Sequence, residues 1–291
     1  MNNNGFNNNY KKNSQWKYTF KRLKKNKAAI IGLILLIILM LGAILADFIA
    51  PYGYDDQLLS RRFQAPSIQF PFGTDNLGRD IFSRVLHGSR ISLQVGLFSV
   101  LLSVAIGTII GSISGYYGKI VDNLLMRFID IMMSMPRILL AIAICAALGT
   151  GIRNLIIAIA IGSIPEFSRI VRGSVLALKN QEFIEAAISN GASDIRIIIK
   201  YILPNCMAVI IVQATMSVAK AILSASSLSF IGLGVQQPIP EWGAMLSVGR
   251  SYIRNSWWII TFPGLAIMMT IFAINLFGDG LRDSLDPRLK K

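Results

Sequence analysis

The chain has 291 residues, of which 53% are hydrophobic and only 15% are charged, with a mean hydropathy of +0.55. An ordinary soluble domain carries roughly 25% charged residues, so this composition excludes a water-soluble globule and, apart from the chain ends, a disordered protein. The two cysteines, Cys145 and Cys206, and the single histidine, His87, exclude a disulfide scaffold and a multi-histidine metal site. A polytopic all-α membrane protein remains.

The N-terminal arm, residues 1–27, joins an Asn-rich stretch to a strongly basic run. Because the run directly precedes an apolar segment, it predicts a cytoplasmic anchor on anionic membrane lipid rather than a nucleic-acid site. Residues 28–50 are predicted to form the first transmembrane helix. Their charge-free part is longer than the 7–15 apolar residues of a cleavable signal peptide, so the segment is expected to be retained.

Residues 51–90 are too polar for lipid and are predicted to form an extracytoplasmic loop. Thr74 or Asp75 is expected to cap a helix that runs to about Leu86, with Asp80 and Arg84 as an ion pair one turn apart. Two interpretations stay open for this segment. It is either a surface helix held by its ion pairs or a charged surface that contacts a polar solute or its delivery protein.

The permease core, residues 91–280, contains five further predicted spans, which gives six transmembrane helices in all. They lie at residues 91–118, about 124–148, about 154–171, 201–234 and 255–278, and a charged tail covers residues 281–291. The third span contains Pro136, and the fourth is the weakest because Glu166 and Arg169 lie near its end. Gly107 and Gly111 form a small-xxx-small pair, which either permits close helix contact or is merely tolerated.

Lysine and arginine residues concentrate on the side of the predicted topology that holds both termini and residues 172–200. By the positive-inside rule that side is cytoplasmic. The distribution also accounts for most of the formal net charge of +14 without any nucleic-acid partner. Both termini are therefore expected in the cytoplasm.

The cytoplasmic segment 172–204 is predicted to contain two short helices that meet at Gly191. The first covers Glu182–Ser189, with Ile184, Ala187 and Ile188 on one face. Ser193 or Asp194 is expected to cap the second, which carries Ile195, Ile198 and Ile199 on one side, before Leu203-Pro204 opens the fifth span. From the residues alone, this hairpin is either an interfacial packing element or a docking surface for a cytoplasmic partner.

The spacing in this segment resembles the EAA loop of ATP-binding cassette (ABC) importer permeases. The matching residues are Glu185, Ala186, Ala187, Gly191, Leu203 and Pro204. Tyr201 departs from the isoleucine of the family pattern. The resemblance implies that the segment is a coupling helix seated in an ATPase subunit, with Glu185 and Gly191 as its leading residues.

Further runs resemble the dipeptide/oligopeptide branch of these permeases. The outer segment carries the signature residues Asp75, Gly78, Arg79 and Asp80, and similar runs lie at 228–234, 240–246 and 275–287. The resemblance implies a type I importer fold and the C-type membrane subunit. It also implies a homologous B-type permease, two ATP-binding subunits and an extracytoplasmic solute-binding protein as partners. The location it implies is the bacterial cell membrane.

A translocation path requires polar groups inside the bundle, and the candidates are Asp47, Asp130, Glu166, Arg169, Lys220 and Asn275. The chain has no phosphate-binding loop of the G-x-x-x-x-G-K-[ST] type, so it is expected to carry no catalytic residue, metal or cofactor. The resemblance places ATP and Mg²⁺ on the partner ATPases. The expected solutes are di- or oligopeptides, with nickel or another small solute as the alternative. Two rivals are an ion-coupled secondary transporter that uses Asp130 and Glu166, and a scaffold without transport activity.

Overall fold

The computed structural model describes residues 22–285. The Asn-rich stretch, most of the basic arm and the end of the tail therefore lie outside the described residues. Within the described range the chain is helical, and its only β-type pairing is an isolated bridge between Thr74 and Asp80. The helices are α1 (Lys27–Ile44), α2 (Ile81–Tyr117), α3 (Lys119–Met133), α4 (Arg137–Leu148), α5 (Ile152–Lys179), α6 (Glu182–Ser189), α7 (Asp194–Phe230), α8 (Trp242–Gly249) and α9 (Trp258–Leu285).

Five of these helices, namely α1, α2, α5, α7 and α9, are long and apolar enough to cross a membrane. The pair α3 and α4 forms a sixth span if the two helices are counted together. The prediction of an all-α polytopic protein is therefore confirmed. Short helical turns at Ala46–Ile49, Leu59–Arg61 and Arg250–Tyr252 lie between the spans.

The second span begins earlier than predicted. Asp80 is the N-cap of α2, and its carboxylate accepts a hydrogen bond of 2.8 Å from the backbone N–H of Ser83. The helix therefore starts at Ile81 instead of Thr74 or Asp75, and it continues past Leu86 to Tyr117. The irregular outer segment therefore ends at Asp80, and the helix predicted to run to about Leu86 is continuous with the second span.

The third predicted span is broken. Helices α3 and α4 meet at an angle of 86° around Pro136. Proline has no N–H to continue the hydrogen-bond ladder, and its ring disfavours the helical conformation of the preceding residue. The prediction of one continuous helix over 124–148 is therefore wrong, and the break leaves Arg137 in the first turn of α4.

The fourth span, weakest by sequence, is the most buried of the five long helices, because 56% of its most apolar window lies inside the protein. Helix α5 packs along α2 at the small residues Gly107, Gly111 and Gly115. A Cβ atom on Gly111 would lie 2.5 Å from the backbone oxygen of Ser168. The close helix contact that Gly107 and Gly111 permit is therefore confirmed.

The outermost span, α1, packs against α9 through Gly32, where a Cβ would lie 2.7 Å from the backbone nitrogen of Phe277. Much of its remaining surface consists of exposed isoleucine and leucine side chains, as expected for a helix that faces lipid. Helix α9 includes Leu285, the last described residue, so the first residues of the predicted tail are helical.

Candidate functional site

Helix α6 occupies the predicted residues Glu182–Ser189 and is seated on the ends of three spans. Ile184 is fully buried and shares a core with Tyr116 of α2, Val175 of α5 and Ile202 of α7. Ala187 is buried beside it. Ile188, predicted for the same face, is 54% exposed, so that part of the prediction is wrong.

The glutamates and the remaining apolar side chains of α6 point away from the bundle. Glu182, Glu185 and Ala186 are exposed, as are Phe183 and Ile188. The helix thus has one face anchored in the protein and another that combines acidic and apolar groups. Helix α6 can therefore present this face to another molecule without leaving its seat.

The predicted turn at Gly191 is confirmed. Its φ angle is +71°, and no atom lies within 4 Å of the place where a Cβ would stand. Glycine is required here by the backbone conformation alone. Neither predicted cap forms a side-chain cap: Ser193 makes no capping hydrogen bond, and the carboxylate of Asp194 accepts a 2.8 Å hydrogen bond from the hydroxyl of Tyr116.

The beginning of α7 contains a π-helical turn over Ile197–Ile202. This turn is wider than an α-helical one and changes which side chains share a face. Ile197, Ile198 and Ile202 are buried, whereas the predicted apolar face included Ile195 and Ile199, which are 68% and 61% exposed. Leu203 and Pro204 lie in the first turn of the following α-helical stretch, as predicted.

The signature residues Asp75, Gly78, Arg79 and Asp80 belong to a buried network of hydrogen bonds, which we call the outer clasp. The carboxylate of Asp75 accepts hydrogen bonds from the backbone N–H groups of Leu77 (2.8 Å) and Arg79 (3.0 Å) and from Nε of Arg79 (2.7 Å). Arg79 also donates a 2.9 Å hydrogen bond to Oε1 of Gln237, far along the chain. All four signature residues are buried.

The predicted ion pair between Asp80 and Arg84 does not form. Asp80 bonds to Ser83, and burial raises the pKa of its carboxyl. Arg84 instead donates to the backbone oxygen of Tyr54 at 2.6 Å and lies 3.9 Å from Asp75. Because the charged groups bond to one another and to the outer loop, this segment is neither a surface helix nor an exposed charged surface.

A second polar group lies halfway along α5, where Glu166 contacts residues of α4 and α7. Oε1 of Glu166 accepts hydrogen bonds from Gln213 (2.6 Å) and Lys220 (3.1 Å). A guanidinium nitrogen of Arg137 lies 3.7 Å from Oε2. We call Arg137, Glu166, Gln213 and Lys220 the mid-span cluster.

Two members of the mid-span cluster, Arg137 and Glu166, line a cavity of about 570 Å³ together with methionines of the α3–α4 bend. One turn along α5, Arg169 forms a separate pair with Asp130 of α3 at 2.5 Å. The structure thus brings four of the predicted path residues into two separate ion pairs. Glu166 pairs with Lys220, and Arg169 pairs with Asp130.

The other predicted path residues lie elsewhere. Asp47 follows α1 and bonds to Arg90 and His87, which lower the pKa of its carboxyl. Asn275 is exposed on α9. Two members of the mid-span cluster, Arg137 and Gln213, were missed by the sequence reasoning. A charged residue directly after a proline within an apolar span was the available signal for Arg137.

Comparison with known proteins shows the family. Residues 107–291 match the binding-protein-dependent transport system inner membrane component family. The chain belongs to this family. Residues 14–66 also match the N-terminal transmembrane domain of oligopeptide transport permease C. The chain is therefore a multi-pass inner-membrane transport component. This family membership does not favour the alternative of an ion-coupled secondary transporter.

Named relatives of this inner membrane component are similar over nearly their whole length. A dipeptide transport system permease protein of Alkalihalophilus pseudofirmus is 50% identical over 95% of this chain and 91% of the relative. A glutathione transport system permease protein of Escherichia coli is 49% identical over 94% and 91%. A di/tripeptide transport system permease protein of Pseudomonas aeruginosa is 45% identical over 91% and 89%.

Among solved structures, an inward-facing structure of the MetNI methionine ABC transporter resembles this component with a TM-score of 0.57 and 18% identity. The match covers 70% of this chain and 96% of that one. At this identity the likeness concerns the fold, and it confirms the predicted ABC importer permease fold.

Proposed function

We propose that this chain is one of two membrane subunits of an ATP-driven importer for di- or oligopeptides. The relatives that match it almost end to end are named as dipeptide, di/tripeptide and glutathione permeases. In this proposal a homologous permease completes the path, two cytoplasmic ATPases hold ATP and Mg²⁺, and a solute-binding protein delivers peptide from outside. Both termini and α6 lie on the cytoplasmic side.

One observation supports the coupling part of the proposal, namely the two-sided character of α6. Ile184 fixes the helix to a core shared by α2, α5 and α7. Glu185 and Ala186 lie on its free side. A partner that binds the free side and moves can therefore displace the ends of three spans through Ile184.

The signature residues Asp75, Gly78, Arg79 and Asp80 have a different part in the proposal. Through their buried hydrogen bonds they fix the conformation of the outer loop, so that the exposed surface of the loop can bind a solute-binding protein. Their contribution is indirect, because their own side chains are buried.

The coupling role is tested by co-purification of the tagged chain, co-expressed with its partner subunits, in mild detergent. Reversing the charge of an exposed acidic residue on α6 with Glu185→Lys is expected to reduce the recovered ATPase by about tenfold, since a charge reversed inside a contact costs about 1–2 kcal/mol. The second permease is expected to remain. Asp279→Lys reverses another exposed acidic charge, on α9, and serves as the matched control.

Recovery of the ATPase with Glu185→Lys at the level found with Asp279→Lys would contradict the coupling role. The solute is tested separately by ATP-driven uptake of labelled di- and tripeptides into vesicles that contain the complete transporter and its binding protein. Absence of peptide uptake by the wild-type assembly, with uptake of another solute, would overturn the peptide proposal.

A further inference from the structure

The mid-span cluster carries an unbalanced charge. Arg137 and Lys220 share the single carboxylate of Glu166, and Gln213 is neutral. The neighbouring pair of Arg169 and Asp130 balances itself. An ionisable group at mid-membrane depth is energetically costly, so such groups are rare there and are associated with the passage of polar solutes. The excess of one positive charge favours the binding of an anionic ligand.

Arg137 uses little of its bonding capacity. Among residues 22–285, its guanidinium has two contacts, 3.5 Å to the hydroxyl of Ser224 and 3.7 Å to Glu166. Charge-assisted hydrogen bonds of arginine are normally about 2.7–2.9 Å long. Arg172, on the same helix as Glu166, shows the contrast, because it makes two bonds of 2.6 Å to Asp122. The N–H groups of Arg137 therefore remain available to a ligand.

The position of Arg137 is set by its surroundings. Pro136 ends the preceding helical run, so the side chain lies at the mouth of the bend, between the 570 Å³ cavity and a second hollow of about 250 Å³. Gly162 of α5 leaves room for it, since a Cβ there would lie 2.9 Å from Cγ of Arg137. Arg137 lines both hollows, and its side chain is one-third exposed.

Apart from Arg169, which is paired with Asp130, the rest of the cavity wall is apolar and adaptable. Met132, Met133 and Met135 line the bend beside the charged groups. Methionine side chains are flexible and polarisable, and they accommodate apolar groups of different shape. A fixed cationic point beside an adaptable wall fits a class of ligands that share one carboxylate and differ in their side chains.

We propose that Arg137 and Lys220 bind the free α-carboxylate of a peptide as it passes this wall. Glu166 balances one of the two cations, and the peptide carboxylate balances the other. The planar guanidinium of Arg137 can bind both carboxylate oxygens, and the ammonium group of Lys220 supplies a point charge. This inference rests on the proposed peptide function and adds the chemical group that is recognised within the membrane.

The test uses a labelled tripeptide that contains a photoreactive azidophenylalanine, in its free-acid and C-terminal amide forms. Each form is added at millimolar concentration to the complete transporter without binding protein, which removes that protein's own preference. In the wild type, cross-linking of the acid to this chain is expected to exceed that of the amide by about tenfold, the order expected for a charge-assisted hydrogen bond at a half-exposed site.

Neutralising both cations with Arg137→Gln and Lys220→Gln is expected to bring the acid-to-amide ratio close to one. Arg137→Lys alone is expected to retain a preference for the acid, because it keeps the charge. Arg153→Gln is the control, since Arg153 is exposed at the start of α5 and makes no ion pair within residues 22–285. A structural role of Arg137 would reduce cross-linking of both forms equally and leave the ratio unchanged.

An acid-to-amide ratio near one in the wild type, or an unchanged ratio in the double variant, would overturn the inference. Uptake of the same free-acid tripeptide by the wild-type transporter in vesicles is measured in parallel. Peptide uptake without an acid preference refutes only the carboxylate site. Absence of any peptide uptake refutes the proposed function and this inference together.

Discussion

Gly78 and Gly191 have nearly the same backbone conformation in very different surroundings, and we expect alanine at the two positions to have unequal effects. Their φ angles are +76° and +71°. An L-residue in this region costs roughly 1–2 kcal/mol. At Gly191 nothing else opposes a Cβ atom. Gly191→Ala should therefore lower the free energy of unfolding by about 1 kcal/mol.

At Gly78 a Cβ atom would lie 1.9 Å from the carbonyl oxygen of Leu58. That oxygen also accepts a 2.8 Å hydrogen bond from the N–H of Arg61, so it cannot retreat without weakening the turn. Overpacking of this kind costs about 1–3 kcal/mol, in addition to the backbone strain. Gly78→Ala should therefore destabilise the protein by about 2–4 kcal/mol more than Gly191→Ala once the weakened hydrogen bond is included.

The difference can be measured as the apparent Tm of the purified protein in detergent, followed by tryptophan fluorescence. At about 2–4 °C for each kcal/mol, Gly78→Ala is expected to melt roughly 4–16 °C below Gly191→Ala. Trp258 of α9 is a suitable probe, because its indole N–H donates a hydrogen bond to the backbone oxygen of Thr74, which lies in the same outer loop as Gly78. Equal Tm values for the two alanine variants would refute this account of the outer clasp.

Three further predictions concern other parts of the bundle. Gly162→Ala should displace the side chain of Arg137, because Cγ of Arg137 lies 2.9 Å from the new Cβ position. Peptide uptake should fall while the size-exclusion profile of the assembly stays unchanged. Normal uptake would contradict the close contact between Gly162 and Arg137. Arg172→Gln should reduce stability by roughly 1–2 kcal/mol, because it removes two charge-assisted hydrogen bonds between α5 and α3; a Tm within 1–2 °C of wild type would argue against that link. Burial raises the pKa of the Glu241 carboxyl above its ordinary value of 4.5. The native state therefore holds this proton more tightly than the unfolded state does. The resulting contribution to stability is fully present below pH 4.5 and is lost as the pH rises through the raised pKa. Glu241→Gln can still accept the hydrogen bond from the N–H of Ala244 and should raise the apparent Tm at pH 8 more than at pH 5; an equal change at both values would contradict the burial argument.

Hydropathy and spacing predicted much of the fold because both act locally. A charge-free run long enough for the bilayer has few alternatives to a spanning helix, and the long spans appear where the sequence places them. The helix over Glu182–Ser189 and the turn at Gly191 were also predictable, since glycine at a positive φ follows directly from its missing Cβ.

The errors arose where distant parts of the chain decide the outcome. A proline in a span can be tolerated when neighbouring helices satisfy the backbone, and whether Pro136 bends the chain depends on those neighbours. The charges of Asp75 and Arg79 suggested a surface, but Gln237, more than a hundred residues later, completes their buried network. The faces at the start of α7 were assigned from the α-helical period, which a π-helical turn does not follow.

The mid-span cluster was only half predictable for the same reason. Glu166 and Lys220 are visible as charges in apolar sequence, whereas Gln213 is neutral and joins them only through a 2.6 Å contact between α5 and α7. Arg137 enters the cluster through the bend, which periodicity does not reveal.

The single core beneath α6 has a mechanical consequence. Tyr116, Val175, Ile184 and Ile202 belong to α2, α5, α6 and α7 yet pack as one unit. A load applied to Ile184 is therefore shared among three spans, whose bases must travel together. Relative motion between these spans then has to arise farther along their length, and in α5 the ladder of backbone hydrogen bonds is interrupted at Pro165. The shared core at one end of α5 and the proline within that helix therefore separate a rigid segment from one that can bend.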